Sequence, residues 1–103
     1  MLYIIYQKDG PDSKALREVH KPAHFAYLEE HEDILVLGGA MLADDESRIG
    51  SVLILNVPDK ETAERFSKNE PLRKAGTFAS VKITRMRRGQ WNPDAAPKTP
   101  EGN

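Results

Sequence analysis

The chain has 103 residues, with 15 Lys and Arg against 16 Asp and Glu and no cysteine. That length holds one domain, and a formal net charge of −1 leaves no overall field to draw nucleic acid or an anionic membrane. Without cysteine there are no disulfides, thiol nucleophiles or zinc–thiolate centres, which fits a reducing compartment.

The N-terminus runs Met-Leu-Tyr-Ile-Ile-Tyr and turns polar at Gln7-Lys8-Asp9. It has no basic leader and is too short for a signal core or a membrane span, so a cytoplasmic protein is expected. Residues 2–7 are rich in aromatic and β-branched side chains and stop at Asp9-Gly10-Pro11-Asp12, which reads as a strand and a turn. From Ser13 to about Glu32 the spacing of Leu16, Val19 and Ala23 is helical, with Asp12 or Ser13 as cap. Pro22 removes a helical hydrogen bond and clashes with the preceding turn. The expectation is therefore a short helix to His20 and a main helix with Pro22 in its first turn.

Residues 34–42 form a second expected strand, in which Gly38-Gly39 suggests a bulge or a close approach. An acidic hairpin loop follows, then a third strand over 49–57. Asp59 caps a helix to about Lys68, with Ala63 and Phe66 inward. Asn69-Glu70-Pro71 opens a short helical turn that Gly76 ends, and residues 77–86 alternate as a fourth strand. The order β-α-β-β-α-β is ferredoxin-like: an α+β domain over residues 1–88, one four-stranded antiparallel sheet with helices on one face. Residues 89–103 contain Pro93, Pro97 and Pro100 and little that packs, and read as a tail around Trp91.

His20, His24 and His31 all fall on the helical stretch. At about 100° per residue, Phe25, Tyr27 and Leu28 define an apolar arc that includes His24 and lies close to His31. A histidine so placed is either a satisfied buried side chain or a general acid–base in a cleft. His20 and His24 are spaced i, i+4 as metal ligands can be, but the expected kink at Pro22 and the lack of an HExxH motif argue against a metal, and none is expected. Asp44-Asp45-Glu46 lacks the glycine and terminal glutamate of a calcium loop and reads as a solvated hairpin tip. Glu70 stands where a carboxylate favours a helix start. Lys82, Arg85, Arg87 and Arg88 make a basic strand end without the interleaved aromatics of an RNA-binding face. Tyr3 and Tyr6 point to opposite sides of the first strand, so one of them faces the helix-free side of the sheet.

Together these pieces resemble the YciI-like family: the strand Leu2-Tyr3-Ile4-Ile5-Tyr6, Arg17 ahead of Pro22-Ala23-His24, the glycine strand Leu37-Gly38-Gly39-Ala40-Met41, and Asn69-Glu70-Pro71-Leu72 closed by Ala75-Gly76. The resemblance implies a homodimer of dimeric α/β-barrel type, formed through the sheet, with a pocket for a small-molecule ligand. It also implies a histidine–acid pair, His24 and Glu70, with Arg17, Tyr6, Gly39 and Met41 as substrate contacts and no cofactor. The family aspartate falls on Glu70, one methylene longer. The aromatic after the proline is Leu72, and the family's Gly-Pro reads Gly39-Ala40. Relatives include lactone-isomerase and dehydrochlorinase-type enzymes. The expected function is proton transfer by the His24–Glu70 pair on a small cyclic or carbonyl-bearing metabolite. The alternatives are a ligand-binding or structural dimer module, and a cofactor-free monooxygenase of the related barrels.

Overall fold

The computed structural model describes Met1–Asn103. Its elements are β1 (Leu2–Asp9), α1 (Ser13–Glu30), β2 (Leu35–Leu42), β3 (Arg48–Asn56), α2 (Lys60–Asn69), the single turn α3 (Pro71–Lys74) and β4 (Phe78–Met86). The strands form one antiparallel sheet in the order β2-β3-β1-β4, the ferredoxin-like arrangement. No helix is long and apolar enough to cross a membrane.

Strand alternation decides which face is covered. Tyr3 and Ile5 of β1 stand opposite Leu55 and Leu53 of β3, and all four are buried with Val57 against Ala63 and Phe66 of α2. Removing Ile5 and Leu55 entirely from water contributes about 1.5–3 kcal/mol each. Tyr27 and Leu28 of α1 pack at the margin of this core, yet no residue of α1 is itself buried. The long helix lies against the sheet instead of sinking into it, and space remains beneath its middle.

Two local expectations change. α1 is one continuous helix with Pro22 inside it, not a short helix and a main one. Pro22 is solvent-exposed, and contacts on both sides hold the two halves on one axis: Arg17 is tied to β1 and His24 to the loop before α3. These offset the roughly 3 kcal/mol an internal proline costs. Asp12 occupies the N-cap position of α1 without making a side-chain cap, whereas Asp59 accepts from the Thr62 amide at 2.8 Å.

The strand pairing also depends on two glycines. A Cβ on Gly50 would stand 2.1 Å from the Gln7 carbonyl oxygen, so only glycine lets β3 approach β1 there. Gly76 has φ +81°, the left-handed residue that ends α3. In β2 the bulge falls between Leu35 and Leu37, just before Gly38.

On the helix-free face, Leu2, Ile4 and Tyr6 alternate with the buried set, and Ile4 pairs with Ile54, which pairs in turn with Leu37. β4 adds Met86 but also Thr84 and Lys82, so the strip is less apolar at that edge than residues 77–86 suggested. Residues 89–103 are exposed, and Trp91 remains 64% accessible with the Arg88 guanidinium 5.8 Å from its ring.

Candidate functional site

The buried face of β1 changes character along its length. Tyr3 and Ile5 are followed on the same side by Gln7, which is buried yet polar, and then by Asp9. Gln7 donates to Ser51 Oγ at 2.8 Å, across the β1–β3 pairing. Asp9 accepts from Arg17 of α1 at 2.8 Å, and the Arg17 guanidinium also lies over the Phe78 ring at 5.5 Å. Polar groups therefore replace the core where the middle of α1 crosses the sheet.

His24 sits about two turns beyond Arg17 on α1. Its Nδ1 lies 2.5 Å from Glu70 Oε1. Glu70, between α2 and α3, is 1% exposed. Its Oε1 also accepts from the Leu72 amide at 3.2 Å, and its Oε2 from the Arg73 amide at 3.3 Å. Pro71 sets this geometry: it starts α3, and the amides after it point back at the Glu70 carboxylate. With Nδ1 engaged, Nε2 is the ring nitrogen free to meet a ligand.

Two adjoining hollows open beside the imidazole, of about 250 and 170 Å³, and Arg17, His24, Phe25 and Arg48 line both. The inner one reaches Gln7, Ser51, Leu35 and the backbone of Gly38 and Gly39. His24 is thus open to a cavity and not sealed beneath its neighbours: its side chain keeps 17% exposure, and Phe25 stands at the rim, 55% exposed. Phe25 was expected on the inward arc; Tyr27 and Leu28 take the core positions, and Phe25 rotates out to the cavity edge. Although Arg48 stays accessible to solvent, partial burial pulls its pKa below the ordinary arginine value, and the Arg17 charge lowers it further.

The other named residues separate. Tyr6 and Met41 belong by strand register to the helix-free face, and neither lines these hollows; Gly39 does. His31 is spent locally: its Nδ1 bonds the Tyr27 carbonyl at 2.8 Å and its ring stacks on Tyr27. No group of three His, Asp or Glu side chains is placed to hold a metal ion. Asp45 bonds Ser47 within the hairpin tip. Larger grooves lie along α2 and β4, and between the helix-free face and the tail, but neither contains a buried acid bonded to a histidine. Sequence reasoning missed Arg48, Asp9 and Gln7. The signal for the last two was present, since both are polar at inward positions of a strand that is otherwise apolar on that side.

The pattern of the YCII-related domain matches residues 1–87. Protein YciI of Escherichia coli is 32% identical over 91 residues, which cover 81% of this chain and 93% of that protein. The 5-chloro-2-hydroxyhydroquinone dehydrochlorinase TftG of Burkholderia phenoliruptrix, solved in complex with 2,5-dihydroxybenzoquinone, is 36% identical with TM-score 0.78, covering 86% of this chain and 96% of its own. An antibiotic biosynthesis monooxygenase matches with TM-score 0.52 at 14% identity, over 87% of this chain and 100% of its own, a likeness of fold alone.

Proposed function

The chain belongs to the YCII-related family, and on that premise we propose that it is an enzyme that moves a proton on a small cyclic or carbonyl-bearing molecule. His24 is the acid–base group and Glu70 positions it. One observation carries this reading: the 2.5 Å contact between His24 Nδ1 and a Glu70 carboxylate that is itself buried and held by two amides. So arranged, Glu70 accepts the Nδ1 proton and fixes the tautomer with a lone pair on Nε2, and its charge stands beside the imidazolium formed when Nε2 takes a proton. The substrate C–H bond breaks, its electron pair moves onto the adjacent carbonyl oxygen, and the proton resides on Nε2. Returning it to another carbon completes an isomerisation. Expelling a leaving group with its bonding electrons completes an elimination, and the imidazolium then loses its proton to water. The similarity to TftG, a dehydrochlorinase bound to a dihydroxyquinone, supports a substrate of ring type.

The test is proton exchange in deuterium oxide. With a panel of hydroxyquinones and cyclic 1,3-diketones, NMR should show enzyme-dependent loss of the α-carbon proton signal. His24→Gln should slow that exchange by about a hundredfold or more. Exchange that persists in His24→Gln, or tight binding with no exchange, overturns the reading in favour of another base or a binding module.

The same reading includes a homodimer that covers the helix-free face. Ile4, Tyr6, Ile54 and Leu37 lie together there, with Tyr6 40% and Leu37 57% exposed. A strip of that kind along a sheet is seldom left wet on a monomer.

A further inference from the structure

The guanidinium of Arg48 makes no ion pair or hydrogen bond, although it lines both hollows beside His24. Arg17, the second guanidinium there, is neutralised by Asp9 at 2.8 Å, but its Nε is buried and has no partner. The inner hollow has no acidic side chain in its wall, and the outer has Glu18 alone against Lys14 and Lys21. Glu70 is already committed to His24 and two backbone amides. The inner hollow is therefore cationic by about the one charge that Arg48 brings.

Beside Gln7 and Ser51, the rest of the inner wall is apolar. Phe25 presents its ring at the rim, Leu28, Leu35 and Leu53 line the inner hollow, and Gly38 and Gly39 contribute only backbone to it. Resting on the proton-transfer reading of His24, we propose that the cavity takes a small planar organic monoanion, its oxyanion held by Arg48 and Arg17 and its unsaturated body against Phe25 and Leu35. One uncompensated guanidinium matches one negative charge, and a planar fork suits a carboxylate or an ionised enol. Burial and the Arg17 charge both work against ionised Arg48, and an anion seated between the two guanidinia relieves that opposition. The same two cations would stabilise the oxyanion that develops when His24 removes a proton. Arg48 thus sets which substrates are accepted, from the strand that faces the His24 helix.

Benzoate and its neutral isostere benzamide separate charge from shape. Titrated into the full chain and followed by amide NMR, benzoate should perturb His24, Phe25 and Gly39 saturably and bind about tenfold or more tighter than benzamide. Arg48→Met should remove that preference while leaving the benzamide affinity unchanged, and Arg48→Lys should restore part of it. Equal affinities for the two probes, no saturable benzoate binding, or a preference that survives Arg48→Met overturns the proposal. So does inorganic phosphate binding as tightly as benzoate, which would mark a site for a bare anion. Failure here leaves the exchange test of His24 untouched, and failure of that test leaves the benzoate preference standing, so the two ideas fall separately.

Discussion

Glu70→Gln changes almost no volume and removes one charge, so its cost measures how firmly the candidate pair is built. In the native site Oε1 faces His24 Nδ1 at 2.5 Å and the Leu72 amide at 3.2 Å, while Oε2 accepts from the Arg73 amide at 3.3 Å. A carboxamide has a single acceptor oxygen. With that oxygen at the Oε1 position, two bonds survive, but the NH2 group meets the Arg73 N–H donor against donor. The opposite rotamer gives up His24 and Leu72 together, so the first is preferred. Bonds to an ionised acceptor contribute about 1.5–3 kcal/mol and neutral ones about 1, so weakening two and losing one sums to about 2.5–7 kcal/mol, and the long amide contacts of 3.2 and 3.3 Å place it toward the low end. A neutral amide is easier to bury than a carboxylate, which offsets part of this at a residue only 1% exposed. The expected net loss is about 2 kcal/mol, a fall of roughly 1–2 M in the urea midpoint at unchanged slope. Circular dichroism during urea titration of both proteins reads it directly. A Glu70→Gln protein within about 0.5 kcal/mol of the parent, or more stable than it, would refute the hydrogen-bond reasoning.

Light scattering should give twice the 11.6 kDa chain mass at micromolar concentration, and Ile54→Lys, in the middle of the helix-free strip, should halve it; a monomeric parent chain sinks the dimer. Tyr27 donates to the Phe66 carbonyl at 2.8 Å, and burial, then Glu70 and Glu30, raise its pKa above the ordinary phenol value. Because the folded pKa is the higher one, this stabilisation is fully present below about pH 10 and is lost as pH rises through the folded value. Tyr27→Phe should therefore cost about 1 kcal/mol at neutral pH and show a shallower alkaline decline in denaturation midpoint; an identical decline in both proteins rules out the linkage. Gly50→Ala places a Cβ 2.1 Å from the Gln7 carbonyl oxygen, so a thermal melt should show a loss of about 3 kcal/mol or more, and an unchanged melting temperature would mean the strands are not that close.

Much of the fold was written locally. The period-two alternation of β1 and β3, the Asp59 cap, the Pro71 start and the Gly76 stop each depend on residues within a few positions of one another, and the elements fall within a residue or two of where these signals put them. Pro22 shows the limit of that logic. Its local rule demands a break, and the rule is overridden by contacts to β1 and to the α3 turn that no local window contains. Phe25 shows it again: helical spacing alone assigns it to the same arc as Leu28, but the width of that arc against the sheet is a packing outcome.

His24 and Glu70 were named from the sequence through a resemblance, since 46 positions separate them and no spacing rule joins them. Composition and periodicity determined a single α+β domain, one apolar sheet face for the helices, and a histidine on the helix that crosses it. Tertiary structure alone decided that His24 opens to a cavity, that Tyr6 and Met41 face away from it, and that Arg48 joins Arg17 there. The reason lies in the register of β1 with β3: slipping β1 by one residue would carry Gln7 and Asp9 to the helix-free face and put Tyr6 and Lys8 beneath the imidazole instead.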